Sequence, residues 1–104
     1  MAETIDDITC TWEENGTVTT EELDKVILSR GGWVTILFKY RELAKSGEWG
    51  KPKFTLRRYQ KRSGQFRQQS KFNISSIAQA RAIVDALQGW IGNDTDGGDE
   101  GDED

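Results

Sequence analysis

The chain has 104 residues, with 35% hydrophobic and 31% charged residues, no histidine and one cysteine. That length fits one compact domain with flanking segments. The lone Cys10 excludes an internal disulfide, and the lack of histidine removes most metal sites and Cys–His catalysis. No apolar run approaches the roughly 20 residues needed to cross a bilayer. The acidic opening residues do not read as a signal peptide, so a soluble, reducing, cytoplasmic setting, associated with the nucleoid, is expected.

The net charge of −4 conceals a strong segregation. Residues 1–24 hold eight acids and no base, and residues 94–104 hold seven acids and no base. Residues 30–71 hold twelve bases against only Glu42 and Glu48. A basic middle between acidic ends points to a polyanionic partner.

Residues 1–20 are acidic and Thr-rich, and they read as a disordered segment. A short strand is expected at Leu23–Leu28, closed by the turn residues Arg30-Gly31-Gly32. Trp33–Glu42 alternates as a second strand, with Val34, Ile36, Phe38 and Tyr40 on one face and Thr35, Lys39 and Arg41 on the other; Leu37 breaks the pattern. Trp49 sits in a loop with Gly47, Gly50 and Pro52. Lys53–Tyr59 alternates again, with Phe54 and Leu56 inward and Lys53, Thr55, Arg57 and Tyr59 outward. Ser63-Gly64 marks a hairpin turn. Phe66–Ile74 is the fourth strand, with Phe66, Phe72 and Ile74 on one face and Arg67, Gln69 and Lys71 on the other. Ser75 or Ser76 can cap a helix whose stripe is Ile77, Ala80, Ile83, Val84, Leu87 and Ile91. Residues 93–104 are low-complexity and acidic, and read as a disordered tail.

The carboxylates lie almost wholly in the end segments, and no phosphate-binding glycine loop or calcium-loop spacing occurs. No enzyme, cofactor or metal site is expected. The pattern that remains is basic and aromatic residues interleaved on a sheet face. Lys39, Arg41, Lys53, Arg57, Arg67 and Lys71 are candidates to follow a phosphate backbone, and Tyr59 and Trp49, with Trp33, to stack on bases. Single-strand binders combine these two elements. The helix carries Arg81 as its one base, which disfavours insertion into a duplex groove. Phe38, Phe54 and Phe72 are expected in the core, and Trp90 in the core or an interface.

The stretches GGWVTILFKYRE, KPKFTLRRYQ and SKFNISSIAQARAIVDALQGW, in that order, resemble the transcriptional positive cofactor four family in its small bacterial or phage form. The resemblance spans about residues 21–91. It implies a four-stranded antiparallel curved sheet followed by one C-terminal helix, an α+β fold that forms a homodimer and binds single-stranded DNA with little sequence preference. By position, Arg57 and Tyr59 match the basic and aromatic residues of the family's third strand. Lys71 falls where the family has a glycine, and Ser70 stands where its base does.

The division expected is therefore 1–20 as an acidic N-terminal segment, 21–92 as a single-stranded nucleic-acid-binding domain and 93–104 as an acidic tail. The expected ligand is single-stranded DNA, with RNA left open; the setting is transcription, replication or repair. The tail could compete for the basic face and recruit protein partners. Two other readings stand beside this one: an OB-type single-strand binder, which needs five strands, and a protein-interaction module using a sheet edge and the acidic segments.

Overall fold

The computed structural model describes residues 3–92; segment 93–104 lies outside them. The fold is α+β. One antiparallel sheet of five strands runs β1 Trp12–Glu14, β2 Thr17–Ser29, β3 Trp33–Glu42, β4 Lys53–Arg62 and β5 Gln65–Ile74, followed by one helix, α1 Ile77–Ile91. The strands lie side by side in chain order, β1-β2-β3-β4-β5, and the sheet curls into a half-barrel. This plain meander is not the Greek-key order of an OB barrel, although five strands are present where four were expected.

The additional strand arises from the segment expected to be disordered. Asn15 (φ 54°) and Gly16 (φ 84°) form a tight turn joining β1 to β2, the left-handed pair that a two-residue hairpin requires. Ser63 (φ 53°) and Gly64 (φ 80°) do the same between β4 and β5. Before β1, a single 3-10 turn at Ile5–Asp7 leads into an extended strap. Ile8 and Cys10 of the strap are buried, while Thr9 and Thr11, which alternate with them, are exposed. The acids that suggested disorder (Asp6, Asp7, Glu13 and Glu14) are all exposed, so charge and burial alternate along one ordered segment. Lys25 holds the strap down: its Nζ donates to the carbonyl oxygens of Ile5 (3.3 Å), Asp6 (3.0 Å) and Ile8 (2.6 Å).

Strand register decides the two faces. Val34 pairs with Tyr59, Ile36 with Arg57 and Phe38 with Thr55, and directly opposed residues share a face. The inner face therefore carries Val34, Ile36, Phe38, Tyr40, Thr55, Arg57 and Tyr59, and the strap's Ile8 and Cys10 close the core over it together with Phe66. Phe54, Leu56 and Phe72 were expected to join Phe38 in that core. They do not, because Leu37 pairs with Leu56, and Leu56 with Phe72, on the outer face. Phe66 leaves the side of Phe72 because a bulge beside Arg58/Tyr59 shifts the β5 register and turns it inward, opposite Lys61.

Ser76 caps α1 by accepting from the Gln79 amide at 3.1 Å. The helix touches the sheet chiefly at β5, and none of its residues is buried. Ile77, Val84, Leu87, Trp90 and Ile91 are exposed. Among the described residues no helix is long and apolar enough to cross a membrane.

If the strap is structural, Ile8→Ala lowers stability by about 2–5 kcal/mol through the lost burial and the cavity it leaves. Urea denaturation reads this directly. A disordered segment would leave the midpoint unchanged.

Candidate nucleic-acid interface

Between Glu48 and Asp85 the sequence has nine basic residues and no acid. The fold gathers most of them on the β4–β5 hairpin, while Glu13, Glu14, Glu21, Glu22 and Asp24 fall on β1 and β2 at the opposite side of the sheet. The meander thus turns a charge pattern along the chain into a charge gradient across the sheet. β5 is an edge strand ten residues long, paired on one side only, and Arg67–Asn73 are all exposed.

A groove of about 1060 Å³ separates the strap from β5 on the inner face. Tyr40, Arg57 and Tyr59 contribute to its lining, with Thr9, Thr11 and Trp12 from the strap side and Gln68, Gln69, Lys71 and Asn73 from β5. Arg57 lies over the Phe38 ring at 5.8 Å and donates from Nη1 to Gln68 Oε1 at 3.3 Å. Its Nε is buried and has no hydrogen-bond partner among the described residues. A buried N–H of a permanently charged group favours an acceptor, and an anionic oxygen is the strongest kind. Asp7 and Glu42 also border the groove, but Glu42 is engaged by Lys53 at 2.9 Å.

The structure does not gather the residues proposed from the sequence onto one face. Arg57, Lys53 and Lys71 are on the inner face. Lys39 and Arg41 are on the outer face, because they alternate with the buried Phe38 and Tyr40. Lys39 is exposed; Arg41 is bound to Glu21 at 2.6 Å and lies over the Trp49 ring at 4.5 Å. Trp49 is consequently half-buried and occupied rather than open on both faces. Arg67 pairs with Gln60 and borders the groove from the edge strand. Tyr59 is only 6% exposed, which leaves its ring no free face for a base. Trp33 lies under Arg58 at 4.5 Å on the outer side.

The aromatic group the sequence reading missed is Trp12, which is 62% exposed and borders the groove beside β5. The signal was present: Ile8, Cys10 and Trp12 alternate with Thr9 and Thr11, and Asn15-Gly16 follows. The acidic composition of the segment outweighed it.

Burial dominates the titration of the inner face. It pushes the Cys10 thiol up to about 11, against an opposing effect of Arg57. It also raises Tyr59, with Arg57 again opposing, and raises Tyr40 with help from Glu42. These groups stay protonated at neutral pH, so no phenolate or thiolate opposes Arg57, Arg67 and Lys71 in the groove. Among the described residues no cluster of three potential metal ligands occurs.

Cys10 at pH 8 should therefore react with a soluble disulfide reagent about a hundredfold more slowly than an ordinary thiol. Because the thiol is favoured in the folded state, the stability it contributes is present below its usual value of 9.0 and is lost as the pH climbs towards about 11. Cys10→Ser should remove that alkaline loss in urea titrations, on top of a lower stability at pH 7. Comparison with family models, with curated proteins and with solved structures finds no match to this chain.

Proposed function

We propose that this protein binds single-stranded nucleic acid, DNA foremost, along the basic β4–β5 half of its sheet. The observation that carries the reading is the acid-free stretch between Glu48 and Asp85, folded into an exposed edge hairpin beside a groove floored by Arg57. Arg57, Arg67 and Lys71 have no ion-pair partner among the described residues. They can take up phosphates along an extended strand, and Trp12 offers a face for a base across the groove. Stacking of this kind is worth about 1–3 kcal/mol per base and tolerates any sequence. Glutamine and asparagine side chains on β5 supply neutral hydrogen bonds in the same groove. The likeness to the transcriptional positive cofactor four family agrees with this reading, with Arg57 kept as a binding residue and Tyr59 recast as its packed neighbour.

The active form in this reading is a homodimer. Val26, Leu37, Leu56 and Phe72 stand in register across four strands of the outer face, and Val26 and Phe72 are about half exposed. The apolar side of α1 is left open as well, with Trp90 80% exposed. A small domain that leaves this much apolar surface uncovered gains by burying it against a second copy. Sedimentation equilibrium at micromolar concentration should report a dimer, and Leu87→Glu should shift it towards monomer.

Fluorescence titration with oligo-dT tests the binding. Affinity should exceed that for duplex of the same length and fall steeply with salt as counterions are released. Lys71→Ala and Arg67→Ala should each flatten the logarithmic salt slope by roughly one unit. Trp12→Ala should cost about 1–3 kcal/mol and leave the slope nearly unchanged. Equal affinity for duplex, or no salt dependence, would remove the reading in favour of a protein-interaction module.

A further inference from the structure

Arg67 and Lys71 on the edge strand β5 have no ion-pair partner among the described residues. The ion pairs Arg41–Glu21 and Lys53–Glu42 lie on the β2–β3 and β3–β4 sides of the sheet, not on β5. The exposed acids Glu13 and Glu14 sit on β1, at the far end of the strand order. Residues 94–104 hold seven further acids within eleven residues, the densest acidic run of the chain.

Connectivity puts those acids within reach. Only Ser75 and Ser76 separate β5 from α1, so the helix begins beside the end of the basic strand. Its 15 residues carry the chain about 22 Å away. Lys71 stands three residues before the end of β5, about 10 Å along the strand. Segment 93–104 has twelve residues, which span at most about 40 Å extended. That reach covers the distance even where the helix points straight away from the strand.

We propose that residues 93–104 dock back onto the basic β4–β5 edge of the folded domain and compete there with other polyanions. Arg67 and Lys71 are the primary contacts, with the groove above Arg57 open to a carboxylate. The competition rests on the function proposed above; the contact itself does not. A contact made between surface charges alone is salt-sensitive and is displaced by a ligand of higher charge density. Tethering sets an effective concentration near the millimolar range, which suffices to weaken a competitor about two- to tenfold when the segment's own affinity is similar or somewhat better.

The test uses the full chain and a full-length variant in which the five aspartates of 94–104 are changed to Asn and the two glutamates to Gln. Backbone amide shifts of the two, without nucleic acid, should differ at Arg67–Lys71 in low salt. The difference should vanish at about 0.5 M salt, where the Debye length falls to a few ångströms, and should not depend on protein concentration. Shifts confined to the variant segment, or differences that grow with concentration, would overturn the proposal. In oligo-dT titrations the variant should bind about two- to tenfold more tightly at low salt, converging with the full chain as salt rises. Unchanged low-salt affinity of measurable binding would overturn the competition. If neither chain binds oligo-dT while the shifts appear, the docking stands and the nucleic-acid reading falls.

Discussion

A curled sheet with an apolar inner face must be closed by something, and in this chain the closing element is the strap. Val34, Ile36 and Phe38 are completely buried, yet α1 does not lie over them; Ile8 and Cys10 do. The strap is held by Lys25, whose ammonium donates to three carbonyl oxygens around the short 3-10 turn. Thr9 and Thr11 add bonds to Glu22, one to its carboxylate and one from its amide. Because the strap fills the hollow, the helix is released from that role, and its apolar side and the outer row from Val26 to Phe72 are left uncovered by the other described residues.

The same arrangement defines the groove. The strap stops short of β5, and the space between them is bordered on one side by hydroxyls and Trp12, and on the other by the amides and bases of the edge strand. A long, unpaired edge strand is a hazard for sheet-to-sheet aggregation, which exposed charge and a bulge both counter. β5 has both. In the proposed function, the bases that protect the edge against its own kind also attract an anionic chain. Arg57 differs from them: its guanidinium is packed on Phe38 and bonded to Gln68, which fixes its direction before any ligand arrives and lowers the entropy cost of binding.

Much of the sheet could be read from the sequence. Trp33–Glu42, the Ser63-Gly64 turn, the Ser76 cap and the helix Ile77–Ile91 fall where alternation, turn residues and helical spacing place them. The facing of the strands could not. Alternation says which residues of one strand share a side, but only register says which side of the next strand they join. Taking Phe38 and Phe54 as one core put Lys39 with Arg57, whereas the pairing of Phe38 with Thr55 separates them. The bulge at Arg58/Tyr59 then reverses Phe66 relative to Phe72, which no local pattern announces. Trp49 in its glycine-rich loop and Tyr59 at an outward strand position both point to function in the sequence; the Arg41 contact and burial under the strap occupy them instead. The strap is hidden in the sequence because its short run of alternation ending in Asn-Gly lies within an acidic composition.

The account stands or falls on which face of the sheet meets the ligand. Amide hydrogen exchange of the full chain, with and without oligo-dT at low salt, locates it. Added protection is expected at Thr9–Trp12 and Gln68–Lys71 on the two banks of the groove, with little change at Lys39 and Arg41 on the outer face. Protection centred on Lys39, Arg41 and Trp49, or none on β5, would contradict it.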